Sequence, residues 1–260
     1  MKKNNSVNEN NPIRALERGL QILGALESAG RPLTLTELCS ATRLANATVL
    51  RMLLTLEKYG LTKKGPEGYR LGVAVLPLAH GYLRGNELTL AALPVMQDLV
   101  RVTKETATLI VRLGLHRIVV LRVEGRHPMR YFFLTGQRLP LYLGLGKVLA
   151  ADMSDIELRQ MMDQVGEMRL ATGQRLTRKS LLAELEMIRQ QGFAISCNER
   201  VMGNASVGAP VVTASGTTIA AVGVVGQADR MTRDILQSLS VEVRKAAKAI
   251  AEQCSDKSSV

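Results

Sequence analysis

The chain has 260 residues, 46% of them hydrophobic, and a formal net charge of +11. That hydrophobic fraction supports packed cores and excludes a disordered or fibrous chain, and the length favours two domains. Excess positive charge favours polyanionic partners, nucleic acid or an anionic membrane surface, without constraining the fold.

Residues 1–11 read as a polar tail: Lys2 and Lys3 lead into an Asn-rich stretch with none of the apolar core of a secretory signal. Pro12 to Ser28 then predicts an amphipathic helix, with Ile13, Leu16, Leu20, Ile22, Leu23 and Leu26 on one face. Gly30 and Pro32 stop it. Thr34 followed three residues later by Glu37 forms a capping box that opens a short helix over 35–42. After a turn at Arg43 and Leu44, Asn46 or Thr48 caps a third helix that runs to Tyr59 and ends at Gly60. Its inner face is Val49, Met52, Leu53 and Leu56, with Arg51, Thr55 and Lys58 outward. A strand at Leu61 and Thr62, a turn-rich tip over 63–68 and a return strand at 69–71 complete a winged helix-turn-helix over 12–73. Eleven Lys and Arg against six Glu fall in residues 1–73, so positive charge is densest there.

A linker helix is expected over 74–88, followed by a second domain over 89–260. Within it an amphipathic helix covers 87–104. Strands are expected at 107–113, 117–123 and 129–133, helices at 146–152, 154–163 and 178–191, strands at 193–196, 207–213 and 218–225, and a last helix at 234–254. Hairpins flanked by helices give an α+β fold with an antiparallel sheet.

No apolar run approaches the roughly 20 residues needed to cross a bilayer. A cytoplasmic protein without a membrane partner is therefore expected. Cys39, Cys197 and Cys254 form no C-x-x-C pair, and His80, His116 and His127 form no H-E-x-x-H. The reading accordingly assigns no metal and no cofactor. Gly203 to Gly208 lacks G-x-S-x-G, and Gly146-Lys147 lacks the rest of a phosphate-binding loop. No catalytic residue is assigned, and the chain is read as a non-enzyme.

Arg14 to Leu23, Pro32 to Leu38, Ala47 to Glu57 and Tyr69-Arg70-Leu71-Gly72 resemble, in order, the DNA-binding domain of the IclR family of transcription regulators. Arg138-Leu139-Pro140-Leu141, Leu145-Gly146-Lys147, Gln191 to Ala194 and Ala209-Pro210-Val211 resemble landmarks of its second domain. The resemblance implies a homodimer or dimer of dimers, repressor or activator, whose GAF-like effector-binding and oligomerisation domain over 89–260 binds a small organic effector and alters binding to double-stranded operator DNA.

Expected base-reading positions are Asn46, Thr48 and Arg51, because the N-terminal part of such a helix enters the major groove; Ala47, Leu50 and Thr55 complete the expected DNA-binding set on this helix, Leu50 either touching a thymine methyl or merely exposed. Thr34, Thr36, Lys58, Lys63, Lys64 and Arg70 are expected on phosphates. Ala47 and Leu50 stand where many relatives carry polar residues. By alignment to the family, the effector would meet Tyr142, Leu143, Gly144, Leu145, Ser196, Ser206, Gly223 and Val225. Acid-binding relatives often have Asp, Cys, Ser and Ser at the last four of these positions. An effector richer in apolar surface, aromatic or alicyclic, is therefore expected, with Arg130 and Arg138 left to hold any carboxylate; a vestigial pocket is the alternative.

Overall fold

A computed structural model describes residues 13–127 and 134–256. Two compact units divide between Tyr82 and Leu83.

The first unit contains α1 (Arg14–Ala29), α2 (Leu35–Thr42), α3 (Asn46–Lys58), β1 (Thr62–Gly65) and β2 (Gly68–Leu71). Its core is Ile22, Leu26, Leu33, Leu38, Val49, Leu53 and Tyr69. Such a small core closes over only part of α1. Ile22 and Leu26 are buried a turn apart, whereas Ile13, Leu16 and Leu20 are 70%, 60% and 58% exposed. The single apolar face expected for α1 is thus two adjacent stripes, one of them open.

The capping box at Thr34 forms: its hydroxyl accepts from Glu37 N–H while the Glu37 carboxylate accepts from Thr34 N–H. Arg43 ends the turn after α2 in the left-handed region, with φ 55°. The expected cap on α3 does not form. Ala45, extended at φ −66° and ψ 147°, precedes the helix with no side-chain cap, and the Asn46 side-chain oxygen Oδ1 instead accepts from the Cys39 thiol at 2.9 Å.

β1 and β2 pair from Thr62↔Leu71 to Gly65↔Gly68, which leaves Pro66 and Glu67 as the turn. Lys63 and Lys64 therefore belong to a strand, not to the tip expected for them. Leu33 and Tyr69 exchange backbone hydrogen bonds of 2.9 and 2.8 Å, stitching the hairpin to the segment before α2. Gly68, at φ 133°, is required at this crossing because a Cβ there would strike the Leu33 carbonyl. α4 (Val75–Gly85) follows and contains the division between the units.

The second unit begins with α5 (Glu87–Thr103), capped by the Asn86 side chain. Then come β3 (Thr106–Leu113), β4 (His116–Val123), β5 (Arg138–Pro140), α6 (Gly146–Ala150) and α7 (Asp155–Val165). The short pair β6 (Met168–Arg169) and β7 (Arg175–Leu176) leads to α8 (Arg178–Gln191), β8 (Ala194–Cys197), β9 (Asn204–Val212), β10 (Thr218–Gln227) and α9 (Arg233–Asp256). β5 and the β6–β7 hairpin are additions to the sequence reading, and the strand expected over 129–133 lies outside the described residues.

The main sheet has the order β5-β4-β3-β10-β9-β8 and is antiparallel throughout. Period-two alternation divides its residues between two cores. Ala205, Val207, Ala209 and Val211 of β9, with Val222 and Val224 of β10, join α5 and α9. Ile110, Val119, Ala221 and Val225 join α6, α7 and α8 on the other face.

α7 is fixed to the sheet by Glu157, which closes a capping box with Ser154 and accepts from the Arg112 guanidinium of β3 at 2.5 Å. The hydrogen bond from Arg112, and next that from Ser154 N–H, lowers its carboxyl from an ordinary 4.5 to about 2. A depressed carboxyl contributes stability that is complete above its ordinary pKa and lost as pH falls through its folded one. Urea midpoints of wild type and E157Q are therefore expected to differ at pH 6 and to converge as the pH is taken from 4.5 toward 2; a gap independent of pH would show that the pair contributes nothing through charge.

Candidate nucleic-acid interface and ligand cavity

In the first unit, α3 turns Val49 and Leu53 inward and leaves Asn46, Ala47, Leu50, Arg51, Leu54, Thr55 and Lys58 exposed, with Thr48 half-buried on the flank. Leu54, absent from the sequence reading, is 66% exposed at the centre of this face. The helix spacing shows it: residues 47, 50, 51, 54 and 58 share one stripe. Thr55 donates its hydroxyl back to the Arg51 carbonyl. Thr34 is occupied by its capping box, and Thr36 is exposed in the first turn of α2.

On the hairpin, Lys63 lies directly opposite Arg70, and both are exposed. Like charges facing each other across strands are destabilising unless an anion lies between them. Lys64 projects from the opposite face, its ammonium 5.8 Å from the centre of the Tyr69 ring. Two cations held side by side on an exposed ribbon are suited to a phosphate backbone.

In the second unit, a cavity of about 40 Å³ lies against the α6–α8 face of the sheet. A single water needs roughly 10–15 Å³ on this scale, so the space takes a few water-sized groups. Gly144, Leu145, Ser196, Ser206 and Val225 line it, as the alignment to the family places them. Tyr142, Leu143 and Gly223 do not. Tyr142 packs into the neighbouring core, Leu143 is buried beside it, and Gly223 lies beneath Leu145. A Cβ on Gly223 would sit 2.9 Å from Leu145 Cδ1 and 2.5 Å from the Val207 carbonyl oxygen, and one on Gly208 would sit 2.5 Å from Leu145 Cδ2. The two glycines form a floor, and the Leu145 isobutyl group fills the volume above it.

The wall is not the apolar one expected. Arg117 of β4 and Arg200 bring guanidinium groups to it, joined by Glu199, Asn204 and Thr108. Arg138 is exposed at the start of β5 and lines none of it, and Arg130 lies outside the described residues. Arg117 is only 4% exposed, and its Nε finds no hydrogen-bond partner among the described residues. Burial, and then the charge of Arg200, pulls its guanidinium down to about 9 against the opposing pull of Glu199. Burial also lowers Arg200. The signal for Arg117 was present in the sequence: it is in phase with Val119, which faces inward on the same strand.

Glu199 is held from two sides, its Oε1 by Lys147 Nζ at 2.5 Å and its Oε2 by Gly144 N–H at 2.8 Å. Lys147, 1% exposed, also binds the Glu184 carboxylate of α8. Gly144, at φ 57°, brings the backbone next to the head of Arg117: a Cβ there would lie 3.4 Å from Nη2 and 3.8 Å from Ser196 Oγ. Arg117 comes from β4, next to the β5 edge, and Ser196 from β8 at the opposite edge, so the sheet curls until these two strands bring their side chains together across Gly144.

A winged helix with a cationic ribbon, joined in one chain to a curled sheet that encloses a polar cavity, defines a DNA-binding protein of the winged helix-turn-helix class. Residues 15–66 match the IclR helix-turn-helix domain and residues 80–252 the C-terminal domain of the bacterial transcriptional regulator IclR. The chain is 33% identical over 245 residues to the HTH-type transcriptional regulator BhcR of Paracoccus denitrificans, covering 92% of this chain and 86% of that one. It is similar to the crystal structure of the putative regulator RHA06195 of Rhodococcus (29% identity, TM-score 0.73, 94% and 99% of the two chains). It also shares the fold of an IclR homologue of Microbacterium hydrocarbonoxydans complexed with 4-hydroxybenzoate (20% identity, TM-score 0.71, 92% and 98% covered). The chain belongs to the IclR family and is a DNA-binding transcription regulator.

The glycine floor gives a stability prediction. G223A is expected to lower the unfolding free energy by about 1–3 kcal/mol, the usual cost of overpacking, because the backbone oxygen of Val207 cannot swing aside as a side chain would. Chemical denaturation measures it; a neutral result would mean that β9 and β10 separate more readily than their pairing implies.

Proposed function

We propose that the chain binds operator DNA as a homodimer or dimer of dimers, and that a small organic molecule in the cavity of the second unit changes that binding. The observation that carries the sensing half is the cavity itself. An interior of this kind without a ligand would favour apolar packing, yet here it buries a guanidinium, an amide nitrogen and three hydroxyl-bearing residues. The ligand-bound Microbacterium homologue supports a small-molecule site in this domain.

Asn46, Ala47, Thr48, Leu50, Arg51 and Thr55 are proposed to face base edges. Lys58, Lys63, Lys64, Arg70, Thr34 and Thr36 are proposed to face phosphates. The open stripe Ile13, Leu16 and Leu20 on α1 supports self-association, since an apolar stripe of this kind is covered at low cost by its own copy. Among the described residues no helix is long and apolar enough to cross a membrane. Cytoplasmic residence and the absence of enzymatic activity fit the regulator reading.

The test is fluorescence anisotropy of the full chain on intergenic DNA beside its own gene, titrated with salt and competed with unrelated DNA. Wild type is expected to bind selectively and to weaken with salt. R51A is expected to lose about 1–3 kcal/mol of selectivity, whereas K63A weakens all DNAs alike and reduces the salt slope by about one. Equal effects of the two substitutions on every DNA would remove Arg51 from base reading. In light scattering, L16E/L20E is expected to lower the assembled mass; an unchanged mass would place the interface elsewhere.

A further inference from the structure

Several polar side chains of α3 are committed within the fold. Asn46 gives its side-chain oxygen to the Cys39 thiol at 2.9 Å, and Thr55 gives its hydroxyl proton to the Arg51 carbonyl. Thr48 is half-buried on the flank. The apolar side chains that the helix leaves open form a stripe instead. Leu54 is 66% exposed and Leu50 39%, and Ala47 is exposed in line with them. Leu50 and Leu54 are four residues apart and so adjoin on the helix surface. Neither is among the side chains packed into the core of the first unit. At 1.5 Å per residue the stripe from 47 to 54 is about 10 Å long, close to about three base-pair steps of duplex DNA.

We infer that Leu50 and Leu54 read the 5-methyl groups of thymine, and that Leu54 is a specificity-determining residue of the helix. The half-site under α3 then carries thymines on adjoining base pairs. The inference rests on α3 being the base-reading helix. In the major groove the thymine methyl is the apolar group that base edges display; guanine, adenine and cytosine present donors and acceptors there. A leucine gains buried area against that methyl. Against any other base it covers polar edge atoms without pairing them, which costs free energy as well. Contact with thymine is therefore favoured from both directions.

Charge decides the occupant. Arg51 and Lys58 are exposed on either side of Leu54, at three and four residues' spacing, and Lys63 and Arg70 are exposed on the hairpin of the same unit. Two copies joined through this stripe would bring those cations together, an arrangement that like charges oppose. A duplex supplies phosphates for the cations and methyl groups for the stripe in a single partner.

The experiment uses the full chain to select duplexes from a random DNA pool. The enriched duplex is then remade with deoxyuridine for thymine in its half-sites, which removes the methyl and keeps every hydrogen-bonding group. Fluorescence anisotropy compares the two duplexes for wild type, L54A, L50A/L54A and R51A. The enriched half-sites are expected to contain adjoining thymines. Wild type is expected to bind the deoxyuridine duplex more weakly by about fourfold per methyl contacted, on the order of tenfold for the pair of leucines. L54A keeps a smaller gap, and L50A/L54A binds both duplexes alike. R51A binds both more weakly yet retains the gap, which separates methyl reading from a general loss of fit. Both leucines are exposed, so the variants are expected to melt as wild type does. Should the double variant fold poorly, L54A alone decides. Half-sites without thymine, equal binding of the two duplexes by wild type, or a full gap persisting in L54A and L50A/L54A would each overturn the inference. So would a fall in the assembled mass of L50A/L54A, which would make the stripe a contact between copies. A pool that yields no enriched sequence is a different failure: it removes α3 as the base reader, and the inference falls with that reading.

Discussion

Lys147 carries an ammonium group into the interior of the second unit, and three segments are organised around it. Glu184 reaches it from α8, Glu199 from the loop before β9, and Gly144 N–H completes the shell by holding the other oxygen of Glu199. A buried charge is tolerated only when it is paired and hydrogen-bonded, and removing one partner of such a pair costs about 3–5 kcal/mol. The arrangement is rigid for that reason. It fixes the loop at Gly144, which sets the position of Leu145 and the head of Arg117, and so determines the cavity wall.

The first unit is built on a different economy. Its core is seven buried side chains, and its geometry is enforced by local devices: the Thr34–Glu37 capping box, the left-handed Arg43, and the Leu33–Tyr69 backbone pair at Gly68. These present α3 and the hairpin without drawing on the surfaces they expose. Cross-strand Lys63 and Arg70 are the residues for which stability and function pull apart, since their proximity is unfavourable in the absence of an anion.

Most of this architecture was legible in the sequence because it follows from periodicity and capping. The order and type of the helices and long strands, the capping box and the outward face of α3 all emerge from spacing alone. The failures have physical causes. Ala45 was missed as the residue preceding α3 because capping rules favour a polar side chain, while here Asn46 is diverted to the Cys39 thiol. The polarity of the cavity was missed because alignment pointed to Gly223 and Val225, whereas the charge arrives from Arg117, a distant strand, through the curl of the sheet. No local pattern encodes that approach. The six large apolar residues of α1 looked like one face because nothing in their spacing says how small the available core is.

The floor formed by Gly208 and Gly223 has a consequence for how such a domain diversifies. At these two positions the sheet supplies no side chains, so the space directly above them is set by what the 141–146 loop lays over it, here the isobutyl group of Leu145. Loop positions accept substitution more readily than paired strands do. A change at this one position resizes the chamber while leaving the strand ladder and the Arg117 guanidinium untouched, which makes it the natural first dial for admitting bulkier molecules.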